Sequence, residues 1–481
     1  MKKIRKNLLL CVMSLLTSIT ISSCSNDEPA IDQPASKVTT HVGFSVKLPQ
    51  TTSVGGAAAT RYDAGNYNAD GTYEGVDLTS RIDLYLISAD GALLDSRRFD
   101  YTELTWLYQD GMQVVQPKEP FQTTAGEKYA VVVINSPYPL ISTTPASDYL
   151  ISITNEFPLS AVGQFVSYDG ERVLQSMFSG RSEVTTITDG VTAADVKAGA
   201  NRIELMVERM VSRVIVTASP QMDANSSEVG TFSEITYSVA QGSKAVYLFP
   251  QIEGEEYKTY GYDYLPDENY IRTSAAYYCY DDLQVTTDVV PVNPSTDADQ
   301  RAYLNVEGKL LLENTHATYL KGNTAYVLVR AKFTPHAEAI VDGGALAADG
   351  TFYVGATDGN IYSSVEAATD PSVGTAYQNV LTYVGGKTLY YVWLNPDNIE
   401  KPTVSPVMRN NIYHININSF KQLGTNWNPL TPDINNPDPK PDGPEPPSPV
   451  DPTDPLSSTD TYMSVDIQVK DWTVHSYDVD L

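Results

Sequence analysis

Two side chains near the start of the chain have the chemistry to be modified or cut. Cys24 closes the run Ile21-Ser22-Ser23-Cys24, in which small residues lead to a thiol, a pattern that resembles a lipobox whose Cys is acylated and becomes the first residue. Arg61 is the single basic residue between Lys47 and Arg81 and lies in QTTSVGGAAATRYDAGNYNADGTYEG, which has no periodicity and reads as an exposed loop. An arginine-specific protease would therefore cut between Arg61 and Tyr62. Nothing matches these on the catalytic side. The five His (His41, His316, His336, His414, His475) are scattered, without H-E-x-x-H spacing for zinc. No G-x-S-x-G elbow, phosphate loop or dinucleotide fingerprint occurs, so neither enzyme activity nor a cofactor is expected. The acidic groups Asp281-Asp282 and Asp297 to Asp299 lack the ligand order of a calcium loop and read as solvated turns, so no metal is expected either. Tyr-rich stretches, EEYKTYGYDYLPDENY and AAYYCYDD, have the ring faces to stack sugars, but read more simply as loop and interface Tyr.

The residues around Cys24 fit export. Lys2, Lys3, Arg5 and Lys6 precede an apolar run from Leu8 to Ile21 that Ser and Thr interrupt, which makes residues 1–23 a signal peptide rather than a membrane span. Of three Cys, Cys11 leaves with the signal and Cys24 takes lipid, so Cys279 has no partner for an intramolecular disulfide. The 481 residues carry 59 acidic and 32 basic side chains, a formal net charge of −27. Removing residues 1–23 takes away four positive charges and no negative ones, which gives −31. Such a polyanion does not seek nucleic acid, while 42% hydrophobic residues are too many for a disordered acidic chain.

The elements that must hold this chemistry are strands. Alternating or β-branched runs bounded by turn residues occur at RIDLYLIS (Arg81 to Ser88), KYAVVVIN (Lys128 to Asn135), Arg202 to Ala218, and TFSEITYSVA (Thr231 to Ala240). They continue at KAVYLF, AYVLVRAKF (Ala325 to Phe333), TLYYVWL (Thr388 to Leu394) and IYHININ (Ile412 to Asn418), with the best helical signal near residues 361 to 368. Short strands with frequent turns predict an all-β chain of β-sandwiches, cut near residue 215, although the run from Arg202 could cross the boundary as one ribbon. Residues 429 to 455 hold 11 prolines in 27 positions, which predicts an extended spacer.

A matching strand stands near each end. Val42, Phe44, Val46 and Leu48 alternate before Pro49, and Met463, Val465, Ile467 and Val469 repeat that spacing, followed by Trp472, Val474, Tyr477, Val479 and Leu481. Either could fill one groove, the first as a plug within its own chain and the second as a donor strand added from another copy. The C-terminal strand could equally fold back on its own domain. If a cut after Arg61 releases the plug, its high effective concentration is lost and the longer donor seam can replace it. Because groove and donor lie at different places on the subunit, the contact would propagate head to tail.

At these residues the chain resembles the fimbrillins, specifically the shaft subunit of the short (minor) fimbriae of the type V pilus class. The similar stretches are VERMVSRVIV from Val207, KGNTAYVLVRAKFTP from Lys321, LYYVWLNP from Leu389, VMRNNIYHI from Val407, LGTNWNPLTPD from Leu423 and TYMSVDIQVKDWTVHSYDVDL at the end. The resemblance implies two transthyretin-like β-sandwich domains, with an N-terminal plug strand and a C-terminal donor strand. The resulting plan is a signal peptide (1–23), a lipidated propeptide with the plug (24–61), an N-terminal domain (62–215), a C-terminal domain (216–428), a Pro-rich tether (429–460) and the donor (461–481). It further implies anchoring to the outer membrane through lipid at Cys24 before cleavage, maturation by an arginine-specific extracellular protease after Arg61, and a head-to-tail filament of copies of the chain. Fimbrial anchor and tip subunits would be its other partners, at the cell surface in adhesion and biofilm formation. The rivals are a surface glycan-binding lipoprotein and a tip or accessory subunit.

Overall fold

The computed structural model describes residues 39–48, 79–109, 112–141, 150–152, 159–168, 171–218, 229–254, 256–266, 287–288, 290–291, 308–394, 404–420, 423–424, 426, 453–456, 464–465 and 473–480. The fold is all-β: among these residues the α-helices are three single turns, Leu159–Val162, Ala193–Lys197 and Val365–Thr369.

The first half is built from two sheets. In one, Arg202–Met206, Thr39–Lys47, Met112–Pro117 and Leu104–Gln109 lie side by side, with Phe121–Thr124 also on Thr39–Lys47. In the other, the order is Glu208–Arg209, Phe178–Arg181, Gly126–Ile134, Arg81–Ser88 and Leu93–Asp100, with Thr185–Ile187 on Gly126–Ile134. Side chains from both sheets make one core, including Phe44, Leu84, Phe99, Val132, Phe178 and Ile203. The second half repeats the plan. Ser212–Ala218, Asn411–Ser419 and Thr473–Asp480 run side by side in one sheet, and Gly230–Ala240, Tyr326–Pro335 and Lys387–Trp393 in another. Val214, Val216, Phe232, Val327, Val329, Tyr413 and Ile415 fill the space between.

A third apolar cluster joins the halves. Tyr85, Ile87, Val131 and Val133 use the face of the first half's sheet that points away from its own core, and they meet Met210, Val211, Val246, Leu248 and Leu312. This explains why RIDLYLIS and KYAVVVIN are nearly continuous apolar runs: their sheet is covered on both faces. The strand Leu150–Ser152 pairs antiparallel with Ala245–Tyr247, so a backbone ladder also crosses.

The run from Arg202 crosses from one half to the other as three strands, Arg202–Met206, Glu208–Arg209 and Ser212–Ala218. The change of sheet falls between Arg209 and Ser212, so Ser212 to Ile215, expected at the end of the first domain, lie in a strand whose Val214 and Val216 point into the second core. A second difference concerns the Pro-rich spacer: Thr453 to Leu456 are packed against the second half, with Pro455 bridged to Leu320 and Leu456 buried.

Candidate functional site

The N-terminal strand Thr39–Lys47 occupies an interior lane. On one side it runs parallel to Arg202–Met206, from Gly43 opposite Arg202 to Lys47 opposite Met206. On the other it is antiparallel to Phe121–Thr124 over its first half and to Met112–Pro117 near its end. The period-two pattern is used as its spacing predicts, since Val42, Phe44, Val46 and Leu48 are each at most 1% exposed in the first core. Phe44 sits edge-on to Phe99 (5.3 Å) and Phe121 (6.3 Å). Burying four such side chains contributes roughly 6 to 12 kcal/mol relative to leaving them in water. That is comparable to the whole stability of an ordinary domain, about 5 to 15 kcal/mol. The lane cannot stand empty.

The entrance to the lane is clasped by polar groups. Thr40 Oγ1 donates to Thr188 O (2.9 Å) and accepts from Val191 N (3.0 Å), and Asn201 Nδ2 donates to His41 O (3.0 Å) and to Thr188 O (2.8 Å). Asn201 does this from a left-handed backbone, φ 46°, which Asn tolerates better than most residues. The outer face of the strand lies under the Ala193–Lys197 turn, where Gly43 leaves so little room that a Cβ would come 2.9 Å from Val196 Cγ1. At the far end Lys47 O accepts from Val207 N (3.2 Å) and Leu48 N donates to Gln113 O (2.9 Å).

The C-terminal strand has a seat of its own. Thr473–Asp480, which carries Val474, Tyr477 and Val479, lies parallel to Asn411–Ser419, with Ile412 opposite Val474 and Ile417 opposite Val479. Ser464–Val465 pairs antiparallel with it, placing Val465 opposite Tyr477. Cys24, Arg61, Tyr62, Met463, Ile467, Val469, Trp472 and Leu481 lie outside the described residues. Among the described residues no group of three His, Cys, Asp or Glu is placed to hold a metal, and no helix is long and apolar enough to cross a membrane.

A polar junction that sequence reasoning missed ties the halves together. Arg409 and Glu313, both fully buried, form a two-pronged ion pair: Nη2 to Oε1 at 2.6 Å and Nε to Oε2 at 2.7 Å. Arg409 Nη2 also donates to Tyr247 O (2.7 Å), and Nη1 to Ser179 Oγ of the first half (3.4 Å). Tyr257, from one of the Tyr-rich stretches, donates its hydroxyl to Glu313 Oε2 (2.6 Å), and burial together with the Glu313 charge pushes its pKa far up. In the opposite direction Arg209 of the first half donates to Asn410 Oδ1 (3.1 Å) while lying over the Phe178 ring. The signal available was indirect. Arg209 and Arg409 sit inside two of the stretches that carry the resemblance, VERMVSRVIV and VMRNNIYHI, yet the side chains they bond, Asn410 and Glu313 respectively, lie far from them in sequence.

Comparison with known proteins matches residues 381–478 to the family model described as "Major fimbrial subunit protein type IV, Fimbrillin, C-terminal". Two minor fimbrium subunits Mfa1 of Porphyromonas gingivalis are each 31% identical over 506 aligned residues, covering 98% of this chain and 98% of the relative. Among solved structures, a putative cell adhesion protein from Parabacteroides distasonis overlaps 78% of this chain and 87% of its own at 10% identity and TM-score 0.39. The tip fimbrial protein Mfa3 of Porphyromonas gingivalis overlaps 63% and 85% at 13% identity and TM-score 0.29. Those two overlaps are too slight to argue from, but the full-length identity is not: the chain belongs to the fimbrillin family, as a minor fimbrium subunit.

Proposed function

We propose that this fimbrial subunit forms the shaft of a surface fimbrium by exchanging its N-terminal strand for the C-terminal strand of another copy. On this reading residues 1–23 are removed on export, Cys24 is acylated and holds the precursor at the outer membrane, and an arginine-specific extracellular protease cuts after Arg61. The strand Thr39–Lys47 then leaves, and residues 461–481 of the next copy enter. The two sheet pairs would correspond to two transthyretin-like domains, and anchor and tip subunits would close the ends of the filament.

The observation that carries this reading is the lane itself. A strand from the extreme N-terminal part of the chain is bonded along both edges and supplies four core side chains, and only residues 49–78 tie it to the strand that follows. Because leaving the lane empty would forfeit roughly 6 to 12 kcal/mol, release and replacement must be coupled. The replacement has matching spacing at Met463, Val465, Ile467 and Val469.

Purified precursor lacking residues 1–23, treated with an arginine-specific protease, should yield a fragment beginning at Tyr62 and then filaments under electron microscopy. Protein lacking residues 461–481 should be cut at the same bond and stay monomeric. Equal polymerisation of the two proteins would rule out the donor role. Acylation should be lost in Cys24→Ala, and unchanged lipid labelling would remove the lipoprotein step.

A further inference from the structure

The Pro-rich segment touches the body at one described place. Asp454 O accepts from Lys321 N (2.8 Å), Leu456 N donates to Tyr319 O (3.5 Å), and Pro455 is bridged to Leu320. Lys321 Nζ also faces Asp454 Oδ2 at 3.6 Å, and Leu456 is 1% exposed. An ordinary proline-rich spacer has no reason to bury a leucine.

The receiving loop is stiff. Buried Gln241, itself at φ 60°, donates through Nε2 to Lys321 O (2.9 Å) and Thr324 O (2.8 Å). Buried Asn323 accepts from Leu320 N (2.9 Å) and donates to Thr318 O (3.0 Å) and Tyr264 O (3.2 Å). Side chains of the second half thus hold the Leu320 amide and the Thr318, Lys321 and Thr324 carbonyls, while the Lys321 amide and the Tyr319 carbonyl pair with the incoming segment.

We infer that residues 453–456 are a clip that docks on the Tyr319–Lys321 loop and fixes the point at which the C-terminal arm leaves its subunit. The last described residue before the Pro-rich segment is Asn426, buried and bonded to Thr382 O. Without the clip, 34 residues (427–460) separate that anchor from the start of the donor strand. With it, four residues (457–460) do. At about 3.3 to 3.6 Å per residue the first stretch spans up to roughly 110 to 120 Å and the second about 14 Å. The clip therefore converts a long leash into a short coupler and sets neighbouring subunits at a regular distance. This consequence for the filament rests on the donor role proposed above, whereas the docking itself does not.

The test uses the full-length chain without its signal. In the uncut protein, the Lys321 amide should be protected from hydrogen exchange, and Leu456→Asp should raise its exchange at least tenfold. The Asn314 amide, bonded to Val407 O at 2.8 Å, should stay protected and serves as the reference for an intact fold. Should Leu456→Asp disturb Asn314 as well, replacing residues 453–456 by Gly-Ser-Gly-Ser gives the same comparison. Unchanged Lys321 exchange in the fold-intact variant overturns the clip. After arginine-specific cleavage, wild-type filaments should show one axial repeat, and the variant should form filaments of irregular spacing and greater bending; an unaltered repeat would overturn the coupler role. Protein lacking residues 461–481 should keep Lys321 protected, so a failure of the donor reading would be seen separately.

Discussion

His414 shows how burial turns one side chain into a sensor of acid. It lies in Asn411–Ser419 with its Nε2 2.8 Å from Thr217 Oγ1, and since Thr217 gives its own proton to Asn416 Oδ1 (2.9 Å), Nε2 is the donor. Burial alone lowers the His414 pKa to about 3, and burial lowers that of His316 to about 4. Both rings stay neutral in the folded chain from pH 6.5 down to about pH 4, where the unfolded chain takes up protons, so their contribution to stability is complete above pH 6.5 and is lost on acidification through that window. The stability difference between wild type and His414→Asn, followed by urea denaturation, should therefore shrink by about 1.4 kcal/mol per pH unit between pH 6 and 4. A difference independent of pH would mean that the folded ring is protonated. No pattern around His414 marked it beforehand, because what sets its pKa is cover contributed by distant strands. The same holds for Arg409, whose partner Glu313 is 96 positions away. By contrast, Val42, Phe44, Val46 and Leu48 were legible, since a strand with one face in the core writes that face into every second residue.

At the scale of elements, legibility followed the number of faces a strand hides. RIDLYLIS coincides with the strand Arg81–Ser88, and the reading of Thr231 to Ala240 misses the strand Gly230–Ala240 by one residue. Leu93–Asp100, sequence LLDSRRFD, was passed over because its charges mask it. In the fold Arg98 is held by the buried Asp83 opposite it (2.6 and 2.7 Å), and Arg97 lies over the rings of Phe99 and Phe121. The helical signal near residues 361 to 368 resolves into a strand pair residue set, Ile361–Tyr362, followed by the turn Val365–Thr369, which Ser364 caps. The turn Ala193–Lys197 was missed although Thr192 and Asp195 form a reciprocal cap around it, and it is this turn that roofs the N-terminal strand at Gly43. Phe178–Arg181 depends on a close approach that only a residue without a side chain allows: a Cβ on Gly180 would stand 2.2 Å from Met206 O and 2.8 Å from Val207 Cγ1. Gly180→Ala should destabilise by about 1 to 3 kcal/mol, because backbone as well as side chain must move. Thermal unfolding checks this, and an unchanged midpoint would show that the strand can shift freely.

For the whole molecule, a net charge of −27, or −31 without residues 1–23, sets the conditions of encounter. Two such subunits repel, and the Debye length falls from about 30 Å at 0.01 M salt to about 8 Å at 0.15 M. On the proposed strand exchange, assembly after cleavage, followed by light scattering, should accelerate several-fold over that range, whereas a rate indifferent to salt would mean that encounter does not limit it. The acidity was plain from composition; the junction between halves was not, because its members come from positions 179, 209, 247, 257, 313, 409 and 410. The lane's parallel neighbour, Arg202–Met206, continues through Glu208–Arg209 into Ser212–Ala218, which lies beside Asn411–Ser419, the strand that in turn carries Thr473–Asp480. A strand seated in that lane and pulled along its length loads its hydrogen bonds in shear, all at once. If a partner's strand sits there as proposed, tension would pass partly along this covalent ribbon to the sheet that holds Thr473–Asp480 and partly into Phe121–Thr124 and Met112–Pro117 on the lane's other edge, so that strands lying lengthwise would share the pull.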